Sequence, residues 1–152
     1  MIKDKIDIYF VCPGLGHINR GYESCIRSCF EALVNEPNLN ITLLKGAGAS
    51  NRFELTIPCL KRNSPLSQFL AKLIGKDGYY IEQLTFFIFV IPTIIWGRPQ
   101  LIYISDFMLM CWLGHLKKIL RLNYRILFTN GAPNGPPFSR ADHVQQLWLR
   151  VL

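Results

Sequence analysis

Acidic residues are scarce in this chain, paired cysteines are absent, and neither charge nor hydrophobicity runs long. Its 152 residues hold 10 Asp and Glu against 17 Lys and Arg, a net charge of +7. That balance suits an anionic membrane surface, a phosphorylated substrate or nucleic acid. The basic residues are spread out, with only short pairs such as Lys61-Arg62 and Lys117-Lys118, and they do not interleave with aromatics. This excludes a nucleic-acid arm or a base-stacking sheet, so no nucleic-acid partner is expected. The cysteines, Cys12, Cys25, Cys29, Cys59 and Cys111, are odd in number and form no CxxC pair. They read as reduced, buried thiols of a cytosolic protein and exclude a disulfide framework or zinc site. His115 and His143 have no ligand-spaced partners, so no metal is expected. Asp4 and Asp7 break any hydrophobic region at the start, which excludes a signal peptide. The Asn40-Ile41-Thr42 sequon falls in an expected buried strand and reads as a chance match. The longest apolar stretch, Phe86 to Trp96, is too short to cross roughly 30 Å of hydrocarbon. Pro92 interrupts it, so it reads as a buried helix or a membrane-surface segment. There are no internal repeats.

What is there is enough apolar content, 50% of residues, for one domain with a sizeable core. Ile6 to Val11 is a short apolar run followed by turn signals, the pattern of a buried parallel strand. Ile18, Tyr22, Cys25, Ile26, Cys29, Phe30 and Leu33 recur at helical spacing, with Arg20, Glu23, Arg27 and Glu31 facing away. Strands follow at Ile41 to Leu44, at Phe53 to Leu60 (edge-like, with Pro58 inside), at Leu101 to Ile104 and at Tyr124 to Thr129. Ser64 or Ser67 can cap a helix over Pro65 to Ile74, and Tyr79 to Trp96 reads as helical despite Pro92. Asp106 can cap a helix over Phe107 to Leu120, whose first half is apolar all round and so is expected to be buried. Strands alternating with helices predict an α/β fold, a doubly wound, mostly parallel Rossmann-like sheet with helices on both faces.

In such a sheet, ligands bind beyond the carboxyl ends of the strands. Four loops fall there, Pro13 to His17, Lys45 to Asn51, Ser105-Asp106 and Asn130-Gly131, and all are glycine-rich, polar or both. The first is not a dinucleotide fingerprint. Gly14 and Gly16 supply G-x-G, but Asn19 holds the third position, and Lys45 ends the second strand where an acid is needed for ribose. No Gly-Lys-Ser/Thr follows, so it is not a P-loop either. The loop suits a phosphate or sugar approached by backbone N–H groups, or is a tight turn. His17, at the start of the helix, is a candidate general base or hydroxyl partner, or a polar cap. Arg20 can meet a phosphate or be solvated. Glu23 can bind a hydroxyl or pair with Arg27 four residues on. Asp106 is an N-cap or a cleft carboxylate, and Asn130-Gly131 is equally a turn signature.

The segments PGLGHINRGYE after the first strand, KGAGAS after the second, and later PQLIYISDF and LFTNGAPNGPPFSRADHVQQL together resemble the N-terminal half of bacterial family 4 (group 1) glycosyltransferases. Those enzymes have the two-domain GT-B fold. The resemblance covers residues 1–147 as an acceptor-side domain and stops at the off-pattern tail 148–152. It implies transfer of a sugar from a nucleotide-sugar donor to a glycan or lipid-linked acceptor, without a further cofactor. Gly14, Leu15, Gly16 and Arg20 would approach the donor phosphates, and His17 and Asp106 would be catalytic. Glu23, Gly46, Gly48, Asn130 and Gly131 would line the cleft or the acceptor site.

The family's donor-binding C-terminal domain has no counterpart in this sequence. A truncated or frameshifted reading frame, a split enzyme with a separate donor-domain chain, and a relic are the expectations that follow. Without that domain, leaving-group stabilisation has no source and the chain alone is expected to be inactive. The resemblance implies a cytoplasmic protein, peripheral on the inner face of the membrane, with retention of configuration at the sugar. A general base at His17 would allow inversion instead. A non-catalytic phosphate- or nucleotide-binding module and a membrane-recruiting subunit are the competing readings.

Overall fold

The structure is a computed structural model that describes residues 5–131, 135 and 137–147. The rest, including part of the 130–137 loop and the whole 148–152 tail, lie outside the described residues. The elements are β1 (Ile6–Cys12), α1 (Gly21–Leu33), β2 (Leu39–Lys45), β3 (Glu54–Thr56), α2 (Pro65–Leu73), α3 (Gly78–Gly97), β4 (Leu101–Ile104), α4 (Phe107–Ile119), β5 (Arg125–Asn130) and β6 (His143–Gln146). All six strands are parallel, in the order β3-β2-β1-β4-β5-β6. The chain builds outward from β1 through β2 to β3, then returns to the other side of β1 with β4. The strand order therefore reverses between β1 and β4, and the fold is a Rossmann-like α/β sheet.

Alternation along β1 sorts the core into two layers. Ile8, Phe10 and Cys12 pack with Ile26 and Phe30 of α1, together with Leu43 and Tyr103 of the flanking strands. Val11 points to the other face, where Phe86, Val90 and Ile94 of α3 meet Leu109, Met110 and Leu113 of α4. Each such side chain is worth about 1.5–3 kcal/mol in transfer from water. Helices thus cover both faces, as the alternation of elements predicted.

Several local expectations need correction. The helical stripe was read from Ile18, but α1 begins at Gly21, and Leu33 at its far end is exposed. Glu23 was placed on the outward face and is instead buried, because the start of α1 abuts the backbone at Gly14. Arg27 does not pair with Glu23. Its guanidinium donates to both oxygens of Glu54 on β3, at 2.7 and 3.3 Å. Lys45, buried at the end of β2, reaches the same carboxylate at 2.5 Å. Hydrogen bonding from Arg27 outweighs burial, and with help from Lys45 it holds Glu54 down at about 2. The third strand is three residues long and leaves Pro58 outside it. Of the apolar first half of α4, Phe107 is exposed and Met108 half-buried. Asn40 lies in β2 but is exposed, donating to Asp7 at 2.5 Å.

Pro92 does not interrupt its helix. Both Pro92 and Ile88, whose carbonyl loses its donor, lie on the exposed side of α3, where water can replace the missing N–H. The result is a 20-residue helix, long and apolar enough by length and composition to cross a membrane, with a third of its apolar window buried inside the fold. Capping follows the sequence more closely. Ser64 accepts from the Ser67 N–H to start α2, Asp77 from the Tyr80 N–H to start α3, and Asp106 from the Leu109 N–H to start α4. The sixth strand had no counterpart in the sequence reading: HVQQ is polar and exposed, and pairs only as the sheet's edge. All five cysteines are free thiols, Cys12 buried and the others half-buried.

Candidate functional site

A cleft of about 890 Å³ opens above the carboxyl ends of β1 and β4, at the point where the strand order reverses. Its walls come from the β1–α1 loop (Pro13, Gly14), the start of α1 (Arg20 to Glu23), the segment before α2 (Arg62), α3 (Asp77, Tyr79, Gln83), the β4–α4 junction (Ser105, Asp106) and the chain after β5 (Gly131, Leu147).

Behind the cleft wall a carboxylate with no exposure at all anchors Arg62. Glu82, on α3, accepts from the Arg62 backbone N–H at 2.8 Å, from Arg62 Nε at 2.9 Å and from Arg62 Nη2. His17 Nε2 meets Oε2, the oxygen that also accepts the Arg62 backbone N–H, at 2.7 Å, while the guanidinium holds Oε1. Burial alone would raise the Glu82 pKa, but the Arg62 and His17 hydrogen bonds outweigh it and the net direction is down. Burial likewise works against the Arg62 charge, and Glu82 more than offsets it, so Arg62 stays a cation. Its guanidinium carbon lies 4.9 Å from the Tyr79 ring centre. Tyr79 in turn donates its hydroxyl to Asp106 Oδ2. Burial and the Asp106 charge push the Tyr79 hydroxyl far up, so it remains the donor. For Asp106, burial wins over the bonds from Tyr79 and the Leu109 and Met108 N–H groups, and its pKa is raised. A carboxyl tuned upward at the edge of a cleft is a stronger proton acceptor than an ordinary one.

The structure brings together Gly14, Arg20, Glu23, Asp106 and Gly131 on this cleft. It does not bring the rest. His17 is held against Glu82 behind the cleft wall, with Nδ1 buried and unpartnered, so its Nε2 is not poised as a base facing a ligand. Leu15 belongs to the core, and its N–H turns back to the Cys12 carbonyl at 3.2 Å. The His17 and Ile18 N–H groups turn back to the Gly14 carbonyl, at 3.3 and 2.8 Å. Three N–H groups of the first loop, those of Leu15, His17 and Ile18, are therefore spent within the loop and the strand end that leads into it. Gly16, at φ 97°, packs on the Ala47 carbonyl, and Gly46 packs on that of Pro13. These glycines close the two loops onto each other instead of lining the cleft. Gly48 is exposed outside it. Asn130 is buried and donates to Gln146 across the β5–β6 pair at 3.1 Å.

The sequence reading missed Arg62, Tyr79, Gln83 and Glu82. Arg62 read as half of a surface basic pair. A Glu-Gln pair opening an otherwise apolar helix, Glu82-Gln83, was the signal available for the others. No family model matches the chain, and neither a curated protein nor a solved structure is significantly similar to it.

Proposed function

We propose that this chain is the acceptor-side domain of a GT-B glycosyltransferase. It would carry a sugar from a nucleotide-sugar donor to a glycan or lipid-linked acceptor when paired with a donor-binding domain. The observation that carries this reading is the cleft over the β1/β4 switch point, walled by carboxylates, an anchored guanidinium and two tyrosines. Three of the sequence segments that resemble family 4 enzymes, PGLGHINRGYE, PQLIYISDF and LFTNGAPNGPPFSRADHVQQL, contribute residues to that cleft. In the reaction, a bond forms between the acceptor oxygen and the anomeric carbon. The bond from that carbon to the diphosphate breaks, the nucleoside diphosphate leaves, and the acceptor proton passes to Asp106. Arg20 and the uncapped first turn of α1, where the Gly21, Tyr22 and Glu23 N–H groups precede the first helical bonds, are the groups that can face a donor phosphate.

The test is transfer of label from a panel of nucleotide-sugars to lipid and glycan acceptors, with a GT-B donor domain supplied in trans. Label should appear in an acceptor, and Asp106→Asn, which keeps a capping oxygen, should slow transfer by about 100-fold or more. No transfer from any donor, or an unimpaired Asp106→Asn, counts against the proposal.

A specific observation favours peripheral membrane contact within this reading. Leu66, Phe69, Leu73 and Ile74 are 53%, 62%, 72% and 51% exposed along one stretch of α2 and its C-cap. Lys61, Lys72 and Lys76 lie exposed around them. An apolar stripe ringed by lysines suits an anionic bilayer surface, and would place the protein in the cytoplasm against the inner leaflet. Arg62 does not belong to this patch, because its charge is spent on Glu82. The wild type is expected to sediment with vesicles containing anionic phospholipid, and Phe69→Asp with Leu73→Asp should abolish that. Equal sedimentation of both proteins would remove membrane contact from the proposal.

A further inference from the structure

We propose that Glu23 and Gln83 form a subsite for a pair of ligand hydroxyls, and that this end of the cleft rejects phosphate. The inference rests on the glycosyl-transfer reading only for its biological setting. Its physical basis is separate. Glu23 is 8% exposed and Gln83 1%, and both line the cleft. Glu23 Oε2 and Gln83 Oε1 are buried and have no hydrogen-bond partner among the described residues. Buried polar atoms are ordinarily paired, and one left unpaired costs about 1–3 kcal/mol. Two such orphans on one cleft, from different helices, mark a place where a ligand completes the bonding.

The chemistry of the two groups selects that ligand. A carboxylate can only accept, so Glu23 requires a donor. An anionic phosphate oxygen offers none and would meet like charge. The Gln83 amide carries an acceptor and a donor side by side, which a hydroxyl matches from either end. Both orphaned atoms are acceptors, so the ligand must bring donors; an ammonium would meet the Arg62 cation, which reaches the same point at Gly14 as Glu23, whereas a pair of neutral hydroxyls serves both residues. Tyr22 and Tyr79, on the same walls, add aromatic surface that suits the C–H side of a sugar or cyclitol. Gly14 keeps the carboxylate in place: a methyl group there would collide with Glu23 Oε1 and crowd Arg62 Nη2 at 3.2 Å. Arg20 and the first turn of α1 line the same cleft, so it offers groups for an anion beside those for hydroxyls.

The experiment is a titration of the ¹⁵N-labelled full chain, followed through the Gln83 side-chain amide and the Glu23 backbone amide. The probes are glucose, galactose, N-acetylglucosamine, myo-inositol and inorganic phosphate. At least one polyol should shift both signals saturably, and phosphate should leave the Gln83 amide in place. Glu23→Gln should weaken polyol binding by about tenfold or more. Gln83→Met serves if the first variant does not fold. Signals unmoved by every polyol, a Gln83 amide moved equally by phosphate, or an affinity unchanged in the folded variant would overturn the subsite. The transfer assay fails or succeeds independently. Polyol binding without transfer leaves the subsite standing and removes the enzyme reading, and transfer with a silent Gln83 does the reverse.

Discussion

Glu82→Ala should destabilise the protein by about 3–5 kcal/mol. That corresponds to a fall in thermal midpoint of roughly 10 °C for a chain of this size. The side chain removed is small and the loss is electrostatic. Arg62 is 7% exposed, and among the described residues its guanidinium donates hydrogen bonds to Glu82. Without the carboxylate, a buried cation, its backbone N–H and His17 Nε2 lose their partner together. The expected pattern has a second half. Replacing both ends, Glu82→Leu with Arg62→Met, should recover most of the loss, since buried pairs often contribute little over well-packed apolar groups. Equal destabilisation in the single and double variants would show that α3 packing, and not the ion pair, is what matters. The double variant should still lose ligand binding, because Arg62 and the Tyr79 ring it faces form a wall of the cleft.

The same pair sets the acid limit of the fold. The Glu82 pKa is lower in the folded protein than the ordinary 4.5, so the unfolded chain binds the proton more tightly. Its contribution is therefore fully present above the ordinary carboxylate range and is lost as pH falls through the depressed folded value. Glu54, held at about 2 by Arg27 and Lys45, adds to the same acid limb. Asp106 acts in the opposite sense. Its folded pKa is raised, so its contribution is greatest at low pH and declines as pH rises through the folded value. Stability measured against pH should thus fall steeply below about pH 4.5 in the wild type, in the range set by Glu82 and Glu54. The fall should be shallower in Glu82→Ala.

The sheet was legible because its signals are local. Runs such as Ile6 to Val11 and Leu101 to Ile104 are apolar on both sides, and a strand with both faces covered leaves that mark without tertiary information. The N-caps Ser64 and Asp106 were legible for the same reason: capping is a bond between near neighbours. The cleft was half legible. Its position follows from the order of elements, and Gly14, Arg20, Glu23, Asp106 and Gly131 fall on it because each sits just past a strand or at the first turn of a helix. Arg62 and Gln83 could not be placed, since they reach the cleft from a segment and a helix that follow the edge strand, and only the sheet's return to β4 brings them in. Glu23 was misjudged because helical spacing gives its direction relative to the apolar stripe, whereas its burial comes from a backbone that passes over it at Gly14. Gly16 and Gly46 read as ligand glycines from their pattern alone. A glycine that admits a phosphate and one that admits another loop look identical in sequence.

Gly16→Ala against Gly48→Ala separates backbone strain from collision, and the first should be much the worse. Both glycines hold a positive φ, 97° and 90°, outside the range a side chain readily adopts. That strain is common to both and costs about 1–3 kcal/mol. They differ in what a methyl group would meet. At Gly48 it finds only the end of the Lys45 side chain, at 3.4 Å, which is ordinary contact. At Gly16 it is driven into the Ala47 carbonyl, with the carbonyl carbon at 2.6 Å, and backbone cannot swing aside as a lysine can. The Ala47 N–H to Leu15 carbonyl bond, 3.1 Å, ties the same two loops and would have to break or stretch. Overpacking of this kind adds about 1–3 kcal/mol. Denaturant unfolding should therefore place Gly48→Ala about 1–2 kcal/mol below the wild type and Gly16→Ala about 3 kcal/mol or more below it. The larger loss should carry a functional consequence, since the displaced loop bears Pro13 and Gly14 of the cleft. Polyol binding should weaken in Gly16→Ala and persist in Gly48→Ala under conditions where both are folded. Equal losses in the two variants would mean that the loops part freely, and the packing of Gly16 on Ala47 would then have no part in holding the cleft open at its observed width.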